Sequence, residues 1–159
     1  MKLLYKYILF FLIFAILGFS REFLFVHINQ YLYSVYYHFP DPYLPEALEF
    51  IKPYNYETIY YSKFALTVIY YLAYFMTSYY CVKSISENKH LLKTCFYIFL
   101  FILIFSSILT LYNYFINNNL GGNIYTISRW LMGIAQSPLI AFFLIASDKI
   151  QDQLGQRKI

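Results

Sequence analysis

The sequence predicts an all-α membrane protein with four transmembrane helices and a long aromatic-rich external segment between helices 1 and 2. Of its 159 residues, 60% are hydrophobic and 13% are charged, whereas about 25% are charged in an ordinary soluble domain. The apolar residues lie in long blocks. Four blocks reach the roughly 20 residues that a helix needs to cross a hydrocarbon core of about 30 Å. We expect a single four-helix transmembrane domain over residues 1–159.

Composition and charge exclude several other classes of protein. Two cysteines are too few for a disulfide-stapled secreted domain. A net charge of +4, without a Lys/Arg cluster on a polar face, argues against nucleic acid as a partner. The lipid bilayer is therefore the first partner that the sequence predicts.

The first predicted span covers about residues 3–28. Lys2 and Lys6 precede its apolar run, as they would in a signal peptide that is cleaved near Ser20. A further apolar stretch, 23–26, follows directly, and cleavage would leave this stretch exposed at the new N-terminus. We therefore favour an uncleaved helix.

The external segment, 29–58, joins the first span to the second. Three prolines within six residues forbid a continuous helix there. Pro45 suits the first turn of a short helix, in which Leu44, Leu48 and Ile51 share one side while the two glutamates face away. The dense tyrosines predict a segment in the lipid headgroup region, and we favour an interfacial connector over a lid or docking surface.

The remaining spans are predicted at about 59–82, 91–115 and 127–146. Within the fourth, Pro138 leaves the carbonyl of Ile134 without its helical partner and should kink the helix.

The distribution of lysine and arginine predicts the orientation. With four spans, eight of these twelve residues lie on the side of the termini, whereas five of the eight acidic residues lie on the other side. Because basic residues concentrate in cytoplasmic loops, we predict a multi-pass protein of the inner membrane with both termini in the cytoplasm.

Polar side chains near the predicted outer ends of the spans suggest an outward-facing pocket. Glu22 and Arg129 fall at similar depths, so an ion pair between the first and fourth helices is geometrically allowed. The candidate residues are Arg21, Glu22, His27, Thr110, Asn113, Arg129 and Gln136. We favour the alternative that these residues form structural interhelical hydrogen bonds or extend to the interface.

Motifs for metal binding or catalysis are not found in the sequence. The three histidines lack HxxH or HExxH spacing, and Cys81 and Cys95 are too far apart for a CxxC motif. We interpret both cysteines as buried small hydrophobes. The sequence therefore predicts no catalytic residue, no metal and no cofactor.

Three short elements carry a family resemblance. Arg-Glu-Phe-Leu-Phe at 21–25 closes the first span, and Leu-Pro-Glu at 44–46 lies in the external segment. The last span opens on Arg-Trp-Leu-Met at 129–132 and carries Pro-Leu at 138–139. Together these elements resemble the small four-span membrane proteins associated with exosortases. The resemblance implies an accessory or scaffolding role beside a protein-sorting peptidase, with no assigned catalytic residues.

Two functions are therefore expected as alternatives. The first is a non-enzymatic accessory or scaffold protein that binds a larger membrane partner. The second is a small membrane enzyme or carrier for a lipid or lipid-linked substrate. In the second, Arg21 and Arg129 would hold an anionic head group, and Glu22 or His27 would act as acid or base.

Overall fold

A computed structural model describes residues 2–86, 88–113, 115 and 123–156. Within these ranges every regular element is helical, which confirms the predicted all-α class. A short 3-10 helix covers Glu46–Ile51. The α-helices are α1 (Lys2–Tyr36), α2 (Tyr56–Ile85), α3 (Lys89–Tyr112), α4 (Asn123–Ala135) and α5 (Leu139–Gln156).

Three of the described helices, α1, α2 and α3, are long and apolar enough to cross a membrane. The number rises to four if α4 and α5 are counted together as one bent span. The chain divides into two compact units. We call Ala15–Tyr70 the hairpin unit, and Met1–Phe14 together with Tyr71–Ile159 the bundle unit.

Helix α1 is longer than the sequence analysis predicts. The first span was predicted to end near residue 28, but α1 continues to Tyr36. The predicted external segment 29–58 is therefore helical over its first residues. The physical reason is periodicity: Ile28, Tyr31, Leu32 and Val35 follow the i, i+3, i+4, i+7 spacing of a helix that buries one face.

The C-terminal end of α1 is a Schellman motif. The Phe39 N–H donates to the carbonyl of Ser34 at 3.0 Å, and the His38 N–H donates to the carbonyl of Val35 at 3.2 Å. His38 occupies the left-handed region, with φ of 55°. Pro40 follows two residues later, as is common after such an end. These contacts turn the chain away from the helix axis.

A small hydrophobic core holds the hairpin unit together. Its buried members come from α1, the short helix with its flank, and α2: Ile28, Tyr31, Leu32, Leu44, Leu48 and Ile59. The short helix predicted after Pro45 is confirmed as the 3-10 helix, and its glutamates are exposed as predicted. The segment after α1 thus packs back onto the two helices through its leucines.

The fourth predicted span is broken at Pro138. Helices α4 and α5 meet at 57°, so the predicted kink is confirmed as a sharp bend. The Ser137 hydroxyl donates to the carbonyl of Ile134 at 2.7 Å. The carbonyl that the proline deprives of its helical partner therefore receives a hydrogen bond from a side chain.

Candidate functional site

The seven residues of the predicted polar pocket belong to both units. Arg21, Glu22 and His27 lie in the hairpin unit, whereas Thr110, Asn113, Arg129 and Gln136 lie in the bundle unit. The pocket and the proposed Glu22–Arg129 pair therefore stay predictions.

In the hairpin unit, two of the three predicted residues pack against aromatic rings of their own helix. The Arg21 guanidinium lies 5.6 Å from the centroid of the Phe25 ring. The His27 ring lies 4.6 Å from the Phe23 ring, and its buried Nδ1 has no hydrogen-bond partner among the described residues. Glu22 is exposed. These i, i+4 contacts fit a structural role for Arg21 and His27.

In the bundle unit, Thr110 belongs to a buried cluster of hydroxyl groups between α3 and α4. The Ser128 Oγ lies 2.7 Å from the Ser106 Oγ and 2.8 Å from the Thr110 Oγ1. The Ser128 hydroxyl also bonds to the carbonyl of Ser106 at 3.0 Å. Ser106 and Thr110 are four residues apart and share one face of α3, whereas Ser128 lies on α4 and was not among the predicted residues. The contacts support the structural interpretation of Thr110.

The other three residues predicted in the bundle unit differ in burial. Asn113 and Gln136 are buried, with exposed fractions of 1% and 5%. Arg129 is exposed. Because Asn113 lies one turn beyond the hydroxyl cluster on α3, it extends the polar stripe that the spacing predicts.

A second buried polar cluster was missed by the sequence analysis. The carboxylate of Asp148, on α5, accepts a hydrogen bond from the Ser86 hydroxyl at 2.6 Å and another from the Asn88 amide at 3.4 Å. Asn88 also caps α3 by accepting a bond from the His90 N–H at 3.0 Å. We call Ser86, Asn88 and Asp148 the turn cluster. It attaches the turn between α2 and α3 to the last helix.

The hairpin unit carries an open depression lined by aromatic and amide side chains, which we call the aromatic groove. Its volume is about 530 Å³, and it is lined by Asn29, Gln30, Tyr33, Ser34, Phe39 and Tyr43. The tyrosines here belong to the segment that was predicted to lie in the lipid headgroup region. The long extension of α1 creates the groove, because it aligns 29–34 on a helix beside the returning chain.

A smaller depression of about 290 Å³ adjoins the aromatic groove, and Asn29 contributes to both. At this second depression the Lys63 ammonium donates to the Asn29 Oδ1 at 3.0 Å and lies 4.6 Å from the centroid of the Tyr60 ring. Amides, hydroxyls and ring faces suit noncovalent binding, whereas a nucleophile with an adjacent base would be needed for covalent catalysis.

The described part of the chain offers few side chains for metal binding or for thiol chemistry. Among its residues, no group of three or more His, Cys, Asp or Glu side chains is placed to hold a metal ion. Cys81 and Cys95 are free and fully buried, which agrees with their interpretation as small core residues.

The chain matches no protein-family model, no curated protein and no solved structure.

Proposed function

We propose that the chain is a multi-pass protein of the inner membrane, with both termini in the cytoplasm, that serves as a non-enzymatic accessory or scaffold for a larger membrane partner. The burial of α1 is the main support. Only 6% of its most apolar 18-residue window is buried, against 33% for α2 and 22% for α3. Helix α1 therefore uses little of its apolar surface within its own chain.

The exposed surface of α1 consists of large apolar side chains. Phe11, Ile16 and Phe19 are 62%, 67% and 79% exposed. Exposing such surface to water costs about 25 cal/mol per Å², and patches of this kind mark contacts with lipid or protein. In a bilayer this face is stable, and it remains available for van der Waals packing against a helix of another protein.

The partner class follows from the sequence resemblance. The elements at 21–25, 44–46, 129–132 and 138–139 resemble those of exosortase-associated proteins. We therefore name an exosortase-type protein-sorting peptidase as the proposed partner, with α4 and α5 together as the fourth span.

Site-specific photocrosslinking tests this function. A benzophenone amino acid replaces Phe11 on α1, and a matched control replaces Phe101 on α3, which is 64% exposed. In native membranes we expect the Phe11 position to form one discrete protein adduct, identified by mass spectrometry, and the Phe101 position to label lipid. A buried control at Phe14, 4% exposed, should give neither.

Lipid adducts at both exposed positions would contradict a partner on α1. If affinity capture from the same membranes also yields only the protein with bound lipid, the lipid-handling alternative replaces the accessory function.

A further inference from the structure

We infer that the aromatic groove binds an uncharged saccharide, supplied either as a free glycan or as the headgroup of a glycolipid. Such a site is independent of the membrane partner proposed above, because it lies in the hairpin unit and uses none of the exposed apolar face around Phe11.

The polar groups of the groove are the type that pairs with sugar hydroxyls. Asn29 and Gln30 are exposed, and Ser34 is half-buried one turn after Gln30. A carboxamide offers both donors and an acceptor, and a hydroxyl offers both functions. Adjacent hydroxyls of a sugar ring also donate and accept, so an amide can bond to two of them at once. No charged side chain lines this groove.

The aromatic side chains supply the apolar half of the site. Tyr33, Phe39 and Tyr43 are 58%, 52% and 73% exposed, so their rings remain uncovered. The Tyr33 ring lies 6.2 Å from the Phe39 ring and 4.6 Å from the Tyr37 ring. These contacts restrict the Tyr33 and Phe39 rings before a ligand arrives, which lowers the entropic cost of binding. A pyranose ring presents C–H groups that pack against such faces.

Charge favours a neutral ligand over an anionic one. The hairpin unit contains three lysines and arginines but five aspartates and glutamates. Each basic group is already engaged: Arg21 with the Phe25 ring, Lys63 with Asn29, and Lys52 with a carboxylate. A phosphate or an acidic lipid would have to bind against an excess of negative charge and share a basic group with its present partner.

The size of the groove also suits a small ligand. Its volume of about 530 Å³ falls within the roughly 300–1,000 Å³ that is usual for small-molecule sites. Exposed tyrosines would suffice for a segment that only anchors in the headgroup region. The amides of Asn29 and Gln30 beside them therefore favour a binding site over an anchor.

The test uses the full chain in phosphatidylcholine nanodiscs, since sugar-based detergents would compete for the groove. Maltohexaose, cellohexaose and chitohexaose are titrated by calorimetry, with glucose 6-phosphate and decaproline as anionic and peptide probes. We expect at least one neutral saccharide to bind, either one of these oligosaccharides or a glucosyl lipid placed in the nanodisc. Tyr43→Ala and Gln30→Ala should each weaken that binding about tenfold, or about 1.4 kcal/mol.

Tyr54→Ala is the matched control, because Tyr54 is 57% exposed in the same unit and does not line the groove. Equal effects of Tyr43→Ala and Tyr54→Ala would overturn the site. Tighter binding of glucose 6-phosphate or of decaproline than of the neutral saccharides would also overturn it. Nanodiscs that contain a glucosyl lipid distinguish a glycolipid headgroup from a free glycan as the ligand. Binding to this lipid alone assigns a glycolipid, binding to the oligosaccharides assigns a free glycan, and binding to neither overturns the inference.

Discussion

His38 shows how one residue directs the chain at the end of α1. Its φ of 55° places it in the left-handed region, where a β-carbon is crowded and glycine is usually found. Histidine is among the residues that tolerate this region better than most. The strain is offset by the two hydrogen bonds from Phe39 and His38 that close the Schellman motif.

We predict that His38→Gly raises the stability of the protein by up to about 1 kcal/mol, because it relieves this crowding. His90→Gly should lower stability, by up to about 1 kcal/mol, since residue 90 lies in the first turn of α3. Thermal unfolding in detergent measures both variants. Changes in the same direction would contradict the strain assigned to His38.

At the scale of elements, the hydroxyl cluster joins α3 to α4. Ser106 is buried within it, and its neighbour Ser107 is exposed. Ser106→Ala removes hydrogen bonds to Ser128 and leaves that hydroxyl with fewer partners. We predict a loss between about 0.6 and 1.7 kcal/mol, which are the mean and the maximum measured for hydrogen bonds between membrane helices.

Ser107→Ala is the internal control and should change the unfolding free energy little. Equal losses for the two variants, measured by denaturant unfolding in mixed micelles, would show that the cluster contributes no net stability.

The features that could be predicted from sequence are those set by local chemistry. Pro138 predicts the bend because it removes a specific backbone donor, and Pro45 predicts the short helix that follows it. The continuation of α1 beyond residue 28 could also have been predicted, because a helical spacing relates Ile28, Tyr31, Leu32 and Val35. It was missed because the predicted boundary followed apolar content rather than periodicity.

The polar clusters could be predicted only in part. Ser106 and Thr110 are four residues apart on one helix, so their shared face follows from helical geometry. Their partner Ser128 lies on another helix, and Ser86 lies 62 residues from Asp148. Contacts of this kind depend on tertiary packing, which the sequence spacing does not specify.

At the scale of the whole molecule, α1 is longer than a bilayer requires. Its 35 residues extend about 52 Å, whereas the hydrocarbon core is about 30 Å thick. If Arg21 lies at the outer boundary of the bilayer, as predicted, we expect the C-terminal part of α1 to extend into water together with the aromatic groove.

Cysteine labelling tests this placement. Tyr36→Cys and Phe11→Cys replace side chains of nearly equal exposure, 63% and 62%, at different predicted depths. An impermeant maleimide added to intact spheroplasts should label residue 36 and spare residue 11, because a thiol within the hydrocarbon is neither ionised nor accessible. The native cysteines are buried, which keeps the background low.

Lys149→Cys on α5 completes the test. If α4 and α5 cross together, residue 149 lies on the cytoplasmic side and reacts only after permeabilisation. Labelling of residue 149 in intact spheroplasts would contradict the predicted topology, as would labelling of residue 11.

The turn cluster can form only late in biosynthesis, because Ser86 and Asn88 are synthesised well before Asp148. Ser86 leaves the ribosome 62 residues ahead of Asp148, an interval of roughly 3–12 s at 5–20 residues per second. Throughout this interval both side chains lack the Asp148 carboxylate, and their local partners are the backbone N–H groups of Asn88 and His90. The last helix therefore completes the assembly of a turn made much earlier, because only α5 supplies the carboxylate that accepts from Ser86 and Asn88.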